Sequence, residues 1–120
     1  MKEIILTLAI CLILTLILEL AAALVIGIRK GFDLLVITFT NTLTNPLAVL
    51  AGMLLSAFTG IPRLIYIILI ELSVCITEAL IYKKLLYSRK LNPFIVSLIL
   101  NGVSFFIGTT IAAKVLELLI

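Results

Sequence analysis

Apolar residues run almost unbroken along this chain, and the few polar positions inside the runs recur at helical spacing. One run covers Ile4 to Ile28, broken only by Glu19, and a second covers Leu34 to Phe58 with no charge. A third covers Leu64 to Tyr82, broken by Glu71 and Glu78, and the last covers Leu91 to Ala113, again uncharged. Each exceeds the ~18 residues that mark a bilayer-crossing helix, about 20 being needed for a ~30 Å hydrocarbon core. The pattern predicts an all-α polytopic membrane protein, one transmembrane domain with spans near 4–28, 33–58, 62–84 and 92–115 of its 120 residues. Short connections make neighbours antiparallel, an up-down-up-down four-helix bundle. Helix starts are legible as well: "LNPF" puts Asn92 at the N-cap and Pro93 at the first helical position, and "GIPR" puts Pro62 in the same role as Pro93.

At 100° per residue, the polar and small residues of each span fall within an arc of ~120° or less. Span one gathers Thr7, Cys11, Thr15, Glu19 and Ala22, and span two Thr38, Asn41, Thr42, Asn45, Ala48, Gly52 and Ser56. Span three gathers Glu71, Cys75, Glu78 and Tyr82, and span four Ser97, Asn101, Ser104, Gly108 and Ala112. The remaining circumference is mostly Leu, Ile, Val and Phe, suited to lipid or to neighbouring helices, so the stripes should converge on a common interior. With a rise of 1.5 Å per residue, Asn45 falls near the bilayer midplane, with Glu19, Asn41 and Asn101 roughly 5 Å to one side. Glu71 falls a few ångströms to the other side, with Glu78 about 10 Å from it along the same face. The small residues of the outer halves of spans two and four also suit close helix packing.

The stretch "TNTLTNPLA" places a proline in this layer. Pro46 cannot donate to the helical ladder and crowds the carbonyl of Thr42, so a kink or opening is expected there. Freed carbonyls at membrane depth are tolerated only against protein or a wet cavity, so Asn45-Pro46 reads as a discontinuity adding oxygen ligands to the layer. The structural alternative is a plain kink whose carbonyls are satisfied by neighbouring threonines.

Composition agrees: 64% of residues are apolar and 12% charged, against about a quarter charged in soluble domains. The net charge of +3 is no sign of nucleic-acid binding, because the cations sit at the span boundaries. Arg29 and Lys30 occupy the first loop and Lys83, Lys84, Arg89 and Lys90 the third; the remaining connection and the termini hold Lys2, Arg63 and Lys114. The positive-inside rule then puts loops one and three in the cytoplasm and both termini outside the cell membrane, with dual topology as the minority alternative. "AAA" at 21–23 resembles a signal-cleavage site, but the weakly charged start and the long apolar stretch running on to Arg29 favour an uncleaved span. Cys11 and Cys75 fall inside different spans and read as small apolar groups rather than a redox pair. Histidine, the commonest base and metal ligand, is absent from the sequence.

Glu19, Glu71 and Glu78 are the acids within the spans, and no Lys or Arg shares their depth. Each ionised carboxylate costs roughly 2.5 kcal/mol or more in the core. Three escapes exist: protonation, binding of a cation, or pairing with a basic residue of another protein. A set of carboxylates, amide oxygens and hydroxyls is a hard-oxygen site suited to H⁺, Na⁺ or a divalent metal. The expected core is Glu71 and Glu19 with Asn41, Asn45 and Asn101, while Glu78, Tyr82 and Thr38 line the cytoplasmic approach. For Glu78, snorkelling toward Lys83 or Lys84 is the competing reading.

Two stretches, "RKGFDLLVITFTN" (29–41) and "RKLNPFIVSLILN" (89–101), share Arg-Lys and then Asn at the same distance, 60 residues apart. They point to two parallel hairpin repeats of a kind frequent in transporters; chance similarity in an aliphatic chain is the alternative. "ELAAAL", "NTLTNPL", "EALIYKK" and "NPFIVSLILN" together resemble a group of small four-span bacterial membrane proteins to which no function is attached. The likeness implies the four-span fold and transfers neither site nor substrate. "LELAAA" is also faintly similar to small multidrug-resistance transporters, from which Glu71, Glu78, the TNP motif and the lack of Trp depart.

Three functions follow in order of expectation. The first is a transporter or channel coupled to a cation or proton, forming a homo-oligomer, a dimer being favoured because four helices make a thin wall. The second is an accessory or substrate-binding subunit whose buried Glu residues pair with a membrane-protein partner. An intramembrane enzyme comes last, because neither a Ser/Lys pair nor a metal cluster is evident.

Overall fold

A computed structural model describes residues 1–87 and 91–119 of the chain; Arg89 and Lys90, two of the cations expected in the third loop, lie outside the described residues. Three spans are the helices α1 (Lys2–Val25), α2 (Gly31–Phe58) and α3 (Arg63–Leu85). The fourth is composite: α4 (Pro93–Val103), a π-helical turn over Ser104–Gly108, and α5 (Thr109–Leu119). All four are long and apolar enough to cross a membrane. Each packs against its neighbours in sequence and the fourth closes on the first, an antiparallel bundle 41 × 28 × 20 Å in extent. This is the multi-pass four-helix architecture expected from the apolar runs.

The local chemistry of the ends explains where the helices stop. Although the apolar run continues to Ile28, α1 ends three residues earlier, because Gly27 adopts φ +102°. The Gly27 N–H donates to the Leu24 carbonyl (3.2 Å) and the Ile28 N–H to that of Ala23 (2.8 Å). This pairing is the Schellman motif, which turns the chain and folds Ile28 back into the core. At the start of α4, Asn92 Oδ1 accepts from the Phe94 N–H at 2.8 Å and Pro93 opens the helix. Pro62 departs from expectation: with ψ 140° it is extended and serves as the N-cap of α3, its carbonyl accepting from Ile65 and Tyr66.

The opening expected at Pro46 does not occur. Helix α2 runs unbroken through it from Gly31 to Phe58, since a proline removes one ladder bond and the helix closes around the loss. The interruption lies instead in the fourth span, where the π turn adds a residue to the helical circuit.

Packing divides the bundle along its length. The apolar core of Ala23, Ile28, Val36, Ile37, Tyr82, Leu86, Val96 and Leu100 lies wholly toward the end that carries the first and third loops, here the basic end. The same end is latched by Asp33, buried in the first turn of α2, whose Oδ1 accepts from the Tyr87 N–H at 2.7 Å. The Tyr87 ring stands edge-on to Phe32 at 5.0 Å and 5.6 Å beneath Lys30 Nζ. The opposite, terminal half is looser and holds a cavity.

Candidate functional site

Where the packed half meets the looser one, six side chains close a ring. Asn41 Nδ2 donates to Glu19 Oε1 (3.1 Å), and Thr44 Oγ1, three residues on, donates to Glu78 Oε2 (2.6 Å). From the opposite side of the bundle, Asn101 Nδ2 donates to Glu78 Oε1 (2.7 Å) and Ser104 Oγ to Glu19 Oε2 (2.8 Å). Both carboxylates are 0% exposed. Each asparagine thus serves the acid of its own hairpin, and each hydroxyl serves the acid of the other hairpin. Asn41 and Asn101 are 60 positions apart in the sequence, as are Thr44 and Ser104. The same hydrogen-bond pattern therefore recurs in both halves of the chain, at the asparagines of the Arg-Lys…Asn similarity, whose second Arg-Lys pair lies outside the described residues.

The six residues expected at the site, Glu19, Asn41, Asn45, Glu71, Glu78 and Asn101, all line one cavity, and the ring takes four of them. Glu78, not Glu71, stands with Glu19, because a seven-residue step along one helix face moves it about 10 Å, into the layer of Asn41 and Asn101. Its hydrogen bonds from Thr44 and Asn101 leave no role for snorkelling. Asn45 is not in the ring either: its Nδ2 donates to Thr15 Oγ1 at 3.0 Å, and its Oδ1 is buried without a partner. Glu71 lies nearer the terminal end, half-buried, with no hydrogen bond or ion pair among the described residues.

The asparagines were expected to offer oxygen, and they offer nitrogen. Asn41 Nδ2 also donates to the Ile37 carbonyl (3.0 Å) and Asn101 Nδ2 to that of Ser97 (2.9 Å). Each amide therefore faces a carboxylate oxygen and a carbonyl oxygen together, and only the nitrogen end satisfies both. All four carboxylate oxygens receive neutral donors. Among the described residues, no group of three or more His, Cys, Asp or Glu is arranged to hold a metal ion.

Above the ring lies a cavity of about 260 Å³, lined by Glu19, Asn41, Glu78 and Asn101 at its floor and by Gly52, Ala112 and the exposed Arg63 toward the terminal end. Below the ring the way is shut. Tyr82 is fully buried among the core residues, its hydroxyl beside Asn41 and Glu78 but without hydrogen-bond geometry to a partner. Thr38 lies off the cavity and donates to its own helix at Leu34 (2.9 Å). The residues expected on the approach therefore sit on the packed side of the ring, and the cavity lies on the terminal side. The small stripes divide in role. A Cβ on Gly108 would meet Leu18 at 3.4 Å, a packing position, whereas on Gly52 the nearest atom is 4.0 Å away.

Thr44 escaped the sequence reading, and Ser104 was read as one small residue among several. The signal that finds both is the hydroxyl three positions beyond each asparagine, in both halves. Cys11 and Cys75 are free thiols, as expected, and the Cys75 carbonyl accepts from Ser97 Oγ at 2.7 Å. The six ring side chains come from one chain, so a single copy encloses the layer. No protein-family model, curated protein or solved structure matches the chain.

Proposed function

We propose that this protein is a small proton-coupled transporter in which Glu19 and Glu78 carry the coupling proton. The observation that carries this reading is a pair of fully buried carboxylates with neutral hydrogen-bond donors only, at the floor of a cavity that opens at one end. An ionised acid in that position costs several kcal/mol by depth alone, and two facing each other cost more. A proton is the ligand that relieves this cost, since the Thr44 and Ser104 hydroxyls have helix carbonyls to turn to when the acids are protonated.

The one-ended cavity supports a transporter over an open channel. A transporter reaches its site from one side at a time, and the packed core with the Asp33–Tyr87 latch is the barrier that must part for access from the other. The basic residues around that barrier favour its placement in the cytoplasm. The subunit reading has less to explain at Glu19 and Glu78, whose oxygens already receive donors within the bundle. Membership of the small four-span bacterial group is part of this proposal.

The test is a pH jump across liposomes holding the purified protein, with an interior pH dye. The wild type dissipates the gradient when a transported cation is present, and Glu78→Gln does not. Equal dissipation by both removes the proposal.

A further inference from the structure

Among the described residues, two acceptors on the cavity walls have no partner. Glu71 has no hydrogen bond or ion pair, and Asn45 Oδ1 is buried and unpartnered. Both line the same cavity, on the facing helices α2 and α3. An unpartnered buried acceptor is expensive, and a free carboxylate at this depth more so. Their ligand must therefore bring positive charge and N–H or O–H donors. The ring beneath differs, because its four carboxylate oxygens are already served.

The cavity also says what kind of cation fits. Its 260 Å³ equals the volume of about nine waters at ~30 Å³ each. A bare divalent ion needs about six oxygens at ~2.0–2.6 Å, and no cluster of acidic or thiol ligands is arranged here among the described residues. Beside polar Thr15, Thr44 and Thr109, the walls include Leu14, Ile70 and Phe105, which suit hydrocarbon, and an aromatic ring attracts a cation besides. Arg63 stands at the mouth, eight residues or about 12 Å along α3 from Glu71. It repels a second positive charge at the far end of a ligand.

We propose that Glu71 and Asn45 form a binding site for a small primary alkylammonium ion, one positive head on a short apolar body, and that this ion is the transporter's cargo. The second half of that statement rests on the transport reading; the binding site does not.

Calorimetry on the purified full-length protein in nanodiscs tests it, with ethyl-, propyl- and butylammonium chloride as probes. Binding of one ion per chain is expected, tightening about fourfold for each added CH₂ until the cavity is full. Tetramethylammonium, which lacks N–H donors, and 1,4-diammoniobutane, whose second charge meets Arg63, bind more weakly than butylammonium. Glu71→Gln weakens butylammonium about tenfold, and Val74→Trp, which fills the cavity without touching a charge, abolishes binding. Absence of heat with every alkylammonium overturns the inference. So does equal affinity in wild type and Glu71→Gln, or tighter binding of Na⁺ or Mg²⁺ than of butylammonium. If protons cross liposomes but no alkylammonium binds, this inference alone falls. If butylammonium binds as described and no proton moves, the transport reading falls and the site stands.

Discussion

Thr44 Oγ1 stands 2.6 Å from Glu78 Oε2 and 3.0 Å from the carbonyl oxygen of Thr40, so its single proton has two acceptors within reach. Ser104 repeats the arrangement across the bundle, 2.8 Å from Glu19 Oε2 and 3.2 Å from the Asn101 carbonyl. A hydroxyl donates and accepts at once. Facing an ionised carboxylate it donates; facing a protonated one it turns its proton to its own helix and accepts from the acid. Both protonation states are satisfied, and a proton can come and go without stranding a buried polar group.

Replacing either hydroxyl should therefore hold the acid in one state. Thr44→Val keeps the shape of the side chain and removes the rotor, leaving Glu78 Oε2 without a donor when ionised, a cost of about 1–3 kcal/mol. The expected result is a gradient-driven flux about tenfold slower, with Thr44→Ser near the wild-type rate. Flux in Thr44→Val equal to that in Thr44→Ser would remove the rotor from the mechanism.

The asparagines hold the ring in register. Asn41→Ala strips Glu19 Oε1 of its donor and should lower stability by about 1–3 kcal/mol in detergent unfolding. Asn41→Asp should be worse than Asn41→Ala, because it sets a further acid about 3.1 Å from Glu19. The reverse order would mean that the amide fills space and no more.

Tyr82 separates packing from chemistry. Tyr82→Ala empties a side chain from the tightest part of the bundle and should cost about 3–5 kcal/mol, as aromatic-to-alanine changes in cores do. Tyr82→Phe removes only a buried hydroxyl without a hydrogen bond, so thermal stability should hold or rise. Destabilisation of Tyr82→Phe by more than about 1 kcal/mol would show that the hydroxyl is bonded in the resting state.

Gly52 lines the cavity with 4.0 Å to the nearest atom that an added Cβ would meet. Gly52→Val should fold as the wild type does and narrow the path to the ring, lowering flux while the melting temperature is held. Unchanged flux would place the route elsewhere.

Much of this was readable in advance, and the failures have physical causes. The four spans are written in the apolar runs, and the convergence of Glu19, Asn41, Glu78 and Asn101 follows from helical periodicity and rise. Glu71 and Glu78 share one face, and a rise of 1.5 Å per residue already sets Glu78 rather than Glu71 in the layer of Asn41 and Asn101. The π turn at Ser104–Gly108 left no mark in composition, whereas Pro46, the conspicuous breaker, left α2 intact. The direction of the amides was also hidden, since it is set by the Ile37 and Ser97 carbonyls one turn away.

Infrared difference spectroscopy of the purified protein between alkaline and acid buffer tests the central claim most directly, because it reads the proton on the acids themselves. A carboxylic C=O band should appear on acidification, altered in frequency or intensity by Glu19→Gln and by Glu78→Gln singly, since each acid faces the other. The double variant should lose the part of the band common to both. A spectrum identical in the wild type and the double variant would contradict the account, for the proton would then reside elsewhere.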